Sequence, residues 1–146
     1  MKKILFIALF ATYLTLTGCA SSGPIILGDE KISQAEAFQK GLIRLDCVFT
    51  CSGKFGSNLK EIDALLYARS WNELATKVMS VGYGGDLTYY YLGRAAEGLG
   101  YLPAAKTYYE LSLSSKVTCE VMGVSNCQGH KFPDDINKHL ADIKGK

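Results

Sequence analysis

The feature that most constrains the fold is the alternation of very large and very small residues in DLTYYYLGRAAEGLGYLPAAKTYYELSLSSK, positions 86–116. Before Gly100, one set recurs at i, i+3, i+4 and i+7, the spacing of a single helix face: Tyr89, Leu92, Gly93 and Ala96. After it, a second set recurs at i, i+4 and i+7: Ala105, Tyr109 and Ser112. Because bulk on one helix can fill space left by the other, the pattern predicts a closely packed antiparallel helical hairpin.

The rest of the chain shows helical rather than alternating patterns, so the sequence predicts an all-α fold. Ser33 and Glu36 form a capping box for a first helix, whose apolar spacing continues to Leu45. Residues 47–57 are rich in Gly and Ser and are predicted to be a loop. A second helix is expected over residues 58–67.

Caps and helix breakers mark the later helices. In chain order they are Ser70 with Glu73, Gly82, Asp86, Pro103 and Pro133. They predict a third helix that ends at Gly82, a fourth that Asp86 caps, and a fifth with proline in its first turn. A last helix should begin at Pro133, after an irregular segment over residues 117–132.

The stretch 86–116 resembles a tetratricopeptide repeat, a helix–turn–helix unit of 34 residues. The matching positions are Tyr89, Leu92, Gly93, Gly100, Ala105 and Tyr109. Ala96 and Ser112 depart from it, since the family usually has tyrosine and alanine there. Trp71, Ala75 and Val78 lie one repeat length upstream and indicate a degenerate second unit. The resemblance implies a right-handed superhelix of hairpins with flanking helices as caps, within a domain over residues 33–146.

The same resemblance assigns four positions to a concave binding groove: Leu87, Tyr90, Arg94 and Glu97. Tyr90, Arg94 and Glu97 share one helix face, opposite the face that carries Tyr89. An aromatic residue beside an arginine is typical of binding hot spots. These residues are therefore candidates for contacting a partner, either an envelope protein or a secretion-system protein. Two alternatives are that the face is merely solvated, or that the N-terminal helix with Phe38 and Leu42 covers it.

The N-terminus, MKKILFIALFATYLTLTGC, has the build of a secretory signal peptide over residues 1–18. Its apolar run from Ile4 to Leu16 has 13 residues, fewer than the roughly 20 that span a bilayer as a helix. A retained membrane anchor is the alternative.

Residues Leu16-Thr17-Gly18-Cys19 resemble the lipobox of bacterial lipoproteins. The resemblance implies cleavage before Cys19, acylation (palmitate included) of that residue, and a lipidated tether over residues 19–32. No aspartate follows Cys19 as an inner-membrane retention signal. We therefore expect a lipid anchor in the outer membrane with the domain facing the periplasm.

Charge gives no reason to expect a nucleic-acid partner. The signal peptide contains Lys2 and Lys3, and its removal leaves 14 Lys and Arg against 14 Asp and Glu. No basic stripe stands out in this balanced composition. We expect neither nucleic acid nor a cofactor.

Four cysteines remain besides Cys19: Cys47, Cys51, Cys119 and Cys127. An even number in an exported chain predicts disulfides. We favour Cys47–Cys51 and Cys119–Cys127, because each pair closes a short segment; a bridge between the N- and C-terminal regions is the alternative. A zinc site from Cys119, Cys127, His130 and His139 matches no common spacing, so no metal is expected.

No catalytic motif is present, and the five carboxylates that could be paired on paper are expected to be solvent-facing: Glu61, Asp63, Glu73, Glu97 and Glu110. We therefore expect a protein–protein adaptor. The alternatives are a disulfide-stapled envelope lipoprotein with a structural or enzyme-inhibiting role, and an enzyme that acts on peptidoglycan.

Replacing Cys19 with serine tests the anchor. We expect Cys19→Ser to move the protein from the detergent phase to the aqueous phase, because each buried methylene contributes about 0.8 kcal/mol to membrane binding. Phase partitioning of both proteins measures this, and a serine variant that stays in the detergent phase contradicts the lipoprotein interpretation.

Overall fold

The computed structural model describes residues 25–28, 32–120 and 127–145, and they form six helices and one pair of very short strands. The elements are β1 (Ile25–Ile26), α1 (Gln34–Gln39), β2 (Ile43–Arg44), α2 (Phe49–Tyr67), α3 (Trp71–Val81), α4 (Asp86–Gly98), α5 (Leu102–Ser114) and α6 (Asp134–Lys144). The all-α prediction is confirmed; β1 and β2 pair antiparallel, with Ile25 opposite Arg44. The signal peptide, Cys19 and part of the tether lie outside the described residues.

The helices pack in chain order as two hairpins and a final helix. α2 packs on α3, α3 on α4, α4 on α5, and α5 on α6. The loops that join α2 to α3 and α4 to α5 span three residues each, 68–70 and 99–101. α4 is central in this order, because it contacts both α2 and α3 of the first hairpin as well as its own partner, α5.

The closest approach within the second hairpin is between Gly93 and Tyr109. A methyl group built on Gly93 would lie 2.5 Å from Cε1 of Tyr109, closer than nonbonded carbons can approach. The Tyr109 side chain is fully buried. The alternation of small and large residues in the sequence therefore lets this ring lie directly against the α4 backbone.

Two tyrosine hydroxyls attach the N-terminal part of the chain to this hairpin. The Tyr89 hydroxyl accepts from the Leu45 amide at 2.8 Å and lies 3.1 Å from the Leu45 carbonyl, to which it donates. On α5, the Tyr108 hydroxyl donates to the Phe38 carbonyl at 3.0 Å, and the Phe38 and Tyr108 rings stack. These bonds satisfy backbone groups of a segment that forms little regular structure of its own.

The predicted loop over residues 47–57 is wrong, since α2 already begins at Phe49. Five residues of α2 form its buried stripe: Cys51, Phe55, Leu59, Ile62 and Leu66. This stripe gains enough by burial to outweigh the poor helix propensity of Gly53 and Gly56. Both glycines lie in open space within the helix.

The first helix is shorter than predicted. The Ser33 hydroxyl accepts from the Glu36 amide at 3.1 Å, so the predicted N-terminal cap is present. However, the helix ends at Gln39, and Gly41 adopts a φ of +72°, a conformation that favours glycine. Leu45 is buried but not helical.

Two other caps differ from the sequence prediction. The Ser70 side chain makes no capping hydrogen bond at α3. Gly85 is the N-cap of α4, and Asp86 is its first residue. The Asp86 carboxylate accepts from the amides of Leu87 and Cys119, at 2.6 and 2.9 Å. Asp86 therefore accepts from an amide of the first turn of α4 and also holds the segment that follows α5.

The structure pairs Cys47 with Cys51 and Cys119 with Cys127, as we favoured from the sequence. The first bridge spans the start of α2. The second joins the end of the segment that Asp86 holds to residue 127, where the chain returns towards α6. The alternative bridge between the N- and C-terminal regions is wrong.

The two kinds of helical glycine give a matched test of this packing. We expect Gly93→Ala to destabilise the fold by about 1–3 kcal/mol, because the added methyl group overpacks the buried Tyr109 ring. Gly53→Ala should stabilise it by about 0.5–1 kcal/mol, because the same change in open helix lowers the backbone entropy cost. Urea unfolding of both variants measures the difference. Equal effects in the two would contradict the close approach at Gly93.

Candidate functional site

Two of the four residues predicted to line an open groove are buried. We refer to Leu87, Tyr90, Arg94 and Glu97 together as the α4 face. Leu87 is 1% exposed and Tyr90 2% exposed, whereas Arg94 and Glu97 are half-buried. The expectation that Tyr90 lies on an uncovered surface is wrong, because another part of the chain packs on it.

The C-terminal segment, residues 127–145, provides that cover. Three of its rings surround Tyr90, with centroid distances of 4.6 Å to His130, 5.1 Å to Phe132 and 6.0 Å to His139. The alternative in which the N-terminal helix covers the face is also wrong, since Phe38 packs instead on Tyr108 of α5 and on Tyr101 in the loop before it.

A network of polar contacts links α4 and α5 to the C-terminal segment through Glu97. The Tyr109 hydroxyl donates to Oε2 of Glu97 at 2.7 Å. Nδ1 of His139 lies 2.9 Å from the same oxygen, and the His139 ring stacks on the Tyr109 ring. One carboxylate therefore accepts a phenol from α5 and lies close to an imidazole from α6, although the buried Nδ1 of that imidazole does not meet the geometry of a hydrogen bond.

A second network lies on the other side of Tyr90. The Tyr91 hydroxyl donates to Oδ1 of Asp63, which α2 contributes. His130 lies edge-on to Tyr91, and its Nδ1 is 3.6 Å from Oδ2 of Asp135. Its Nε2 is buried without a hydrogen-bond partner among the described residues. His130 therefore sits between two carboxylates and an aromatic surface.

Burial sets the protonation states in this cluster. It lowers the pKa of His130 and of His139 and outweighs the nearby carboxylates, which act in the opposite direction. It raises the pKa of Asp63, against the lowering effect of the Tyr91 hydrogen bond. Burial, with Glu97 as the next cause, also raises the pKa of Tyr109. Both histidines are therefore uncharged at neutral pH, and the phenols keep their protons.

Arg94 joins the covered face to an open rim. Its Nη1 donates to the Tyr90 hydroxyl at 3.1 Å, and its guanidinium lies 6.0 Å from the centre of the Trp71 ring. Trp71, Arg94, Glu97 and Gly98 line a small pocket of about 190 Å³. A methyl group on Gly98 would collide with the Trp71 ring, so this glycine creates the space for the tryptophan. We call Tyr67, Trp71 and Arg94 the aromatic rim.

Among the described residues, the two most exposed large apolar side chains both belong to α2. Tyr67, at its end, is 74% exposed, and Phe49, at its start, is 81% exposed. Tyr67 lies four residues before Trp71, at the turn between α2 and α3. Exposed aromatic side chains of this size are candidates for contact with another molecule.

The carboxylates differ from one another more than the sequence suggested. Asp63 and Glu97 are half-buried and each accepts a tyrosine hydroxyl, so their predicted solvent-facing position is wrong. Glu61 and Glu110 instead pair with Lys77 and Lys106 near the surface, and Glu73 is exposed.

The zinc set considered from the sequence is not assembled, because Cys119 and Cys127 are bonded to each other. Within residues 25–28, 32–120 and 127–145, no group of three or more His, Cys, Asp or Glu side chains is arranged to hold a metal ion. In the same part of the chain, no helix combines the length and the apolar character needed to cross a bilayer.

Sequence reasoning missed the contribution of both histidines to the site. They lie in a polar segment whose only fully buried residue is Ile136. The spacing of apolar residues therefore did not predict that this segment packs on α4. One available signal was the run Tyr89-Tyr90-Tyr91. Three successive aromatic residues on a helix point in three directions, about 100° apart, which indicates a helix covered on several sides.

Comparison of the chain with protein-family models, with curated protein sequences and with solved structures found no match. The class of protein that fold and site define is therefore a small, disulfide-stapled helical domain, with a covered aromatic–histidine cluster and an aromatic rim of which Tyr67 is exposed.

Replacing two tyrosines separates covered from exposed positions. We expect Tyr90→Ala to cost about 3–5 kcal/mol of stability, as truncation of a large core residue does. Tyr67→Ala should change stability by no more than about 0.5 kcal/mol, as at other surface sites. Denaturant unfolding of the two variants checks this. A neutral Tyr90→Ala would mean that the C-terminal segment does not cover the α4 face.

Proposed function

We propose that the protein is an outer-membrane-anchored periplasmic lipoprotein that acts as an adaptor and binds another envelope or secretion-system protein. The observation that carries the proposal is the aromatic rim: Tyr67 is exposed, and the Arg94 guanidinium lies over the partly buried Trp71 ring beside a small pocket. Tyrosine, tryptophan and arginine are the residues most enriched at binding hot spots. The lipobox resemblance at Leu16–Cys19 supports the anchor and its location.

The packing of the glycines supports a repeat-like superhelix of the tetratricopeptide kind. Gly93 seats the Tyr109 ring within the second hairpin, and Gly98 seats the Trp71 ring between that hairpin and the first. Close contacts of both kinds, within a unit and between units, are what stacked repeats require. The binding region differs from an open repeat groove, because the C-terminal segment covers Tyr90.

A binding role also fits the chemistry of the buried groups better than catalysis does. Both half-buried carboxylates, Asp63 and Glu97, are held by tyrosine hydroxyls. General acid–base catalysis requires a proton-transfer group within reach of a substrate, whereas these side chains serve the packing of α4. The proposal is therefore a non-catalytic protein without a cofactor.

Site-specific crosslinking in the native envelope tests the adaptor. A photoreactive amino acid replaces Tyr67 in the full-length, lipidated protein, and Leu113 on α5 is the matched control because it is also an exposed apolar position. We expect a discrete crosslinked product from position 67 that is much weaker from position 113, and loss of that product when Trp71→Ala is added. Equal products from both positions, or none from position 67, would contradict binding at the rim.

A second candidate function is inhibition of an envelope enzyme, and Phe49 favours it. Its ring is 81% exposed, and it lies between two cysteines that are bonded to each other. The disulfide constrains the backbone that carries this ring, and a constrained segment binds a partner at lower entropic cost. A crosslink from position 49 without one from position 67 would support this function over the adaptor.

A further inference from the structure

The C-terminal segment is attached to the rest of the domain by few apolar contacts. Ile136 is its only fully buried residue within α6, and Phe132, Leu140 and Ile143 are only partly buried. By contrast, ten residues of α4 are buried. Since buried apolar area is the main source of stability, this segment should open at a lower free energy than the hairpins do.

Both histidines of the chain lie in this segment, and both are packed against the α4 face. His130 faces Tyr90 and Tyr91 of α4, Asp63 of α2 and Asp135 of α6, with Arg94 also acting on it. Its buried Nε2 has no hydrogen-bond partner among the described residues. A proton added to that nitrogen would therefore be buried without an acceptor, which is costly.

His139 also lies near Tyr90, with 6.0 Å between the ring centroids. It stacks on Tyr109 of α5 and faces Glu97 and Arg94 of α4, and Asp142 lies on its own helix. Burial of the ring is the main cause that disfavours the protonated imidazole, Arg94 adds to this effect, and Glu97 opposes it. The environment of this ring thus favours the neutral form.

We propose that the C-terminal segment is a pH-sensitive cover of the α4 face, docked while His130 and His139 are neutral and released when they are protonated. Release exposes Tyr90 and Tyr109 and leaves the two hairpins folded. The Cys119–Cys127 disulfide keeps the released segment attached close to α4, so that it docks again when the pH rises.

The sign of the effect follows from the two histidines. Burial lowers the pKa of both in the docked state, below the ordinary value of about 6.5 that they have when exposed. Docking is therefore fully favourable above that ordinary value and weakens as the pH falls through the lowered values. Asp63 and Asp86 act in the opposite direction, because burial raises the pKa of each and protonation favours their buried state. The test must therefore distinguish the effect of the two histidines from that of the two aspartates.

The released state has a consequence for binding that goes beyond the proposed function. The uncovered surface carries the rings of Tyr90 and Tyr109 and the carboxylate of Glu97. It fits a helical segment that presents an aromatic ring and a hydrogen-bond donor, as the C-terminal segment itself does with Phe132 and His139. The rim can bind a partner whether or not the cover opens, so failure of one proposal leaves the other standing.

Hydrogen exchange of the full-length protein at several pH values tests the cover. After correction for intrinsic exchange rates, we expect protection of the α6 amides to fall by about tenfold or more between roughly pH 7.5 and pH 5. Protection in α3 and α5 should change far less over the same range. The variant His130→Phe with His139→Gln keeps a ring and an amide donor in these places, retains Asp63 and Asp86, and should lose the pH dependence.

Other outcomes would overturn the proposal. These are constant α6 protection, loss of protection in all helices together, or the same pH dependence in the double variant. Should the double variant already be undocked at neutral pH, nuclear magnetic resonance titration of the two imidazoles in the unmodified protein decides. Values below the ordinary histidine pKa support the cover, and values at or above it refute the cover.

Discussion

The close approach of the Tyr109 ring to the backbone at Gly93 is the contact on which the rest of the structure depends. This contact sets the distance between α4 and α5. With no side chain at Gly93, other parts of the chain can pack closely around α4. The three tyrosines that precede Gly93 then hold three different parts of the chain. Tyr89 binds the backbone at Leu45, Tyr90 packs under the C-terminal segment, and Tyr91 donates to Asp63 of α2. Successive helix residues point about 100° apart, so three neighbouring tyrosines can contact three different parts of the chain.

The hairpin could be predicted from the sequence because its determinants are local. Large and small residues alternate at helical spacing, and Pro103 and Gly100 mark the ends. The start of α2 could not be predicted from composition, since Gly53 and Gly56 are typical of loops. The stripe of Cys51, Phe55 and Leu59 has helical period, and burial of that stripe overrides propensity. Periodicity is thus a better guide here than the glycine content of the segment.

The candidate site, unlike the hairpin, could be predicted from the sequence only in part. Helical spacing correctly places Tyr89 and Tyr90 on different faces, but it contains no information about what covers a face. Cover comes from His130, Phe132 and His139, which lie 40 or more positions later in the chain and are only partly buried themselves. Such contacts depend on long-range packing and on the neutral state of His130 and His139. Neither the long-range packing nor the protonation state of the histidines can be predicted from the pattern of apolar residues.

Arg94 connects the two regions that the proposals concern. One side of its guanidinium donates to the Tyr90 hydroxyl under the C-terminal segment, and the same group lies over Trp71 at the open rim. A ligand at the rim that draws Arg94 away removes the partner of a buried hydroxyl, which is costly when the hydroxyl stays buried. Displacement of Arg94 also removes the cation that disfavours protonated His139. Binding at the rim and docking of the segment are then linked, and linkage requires that each alter the other by the same factor.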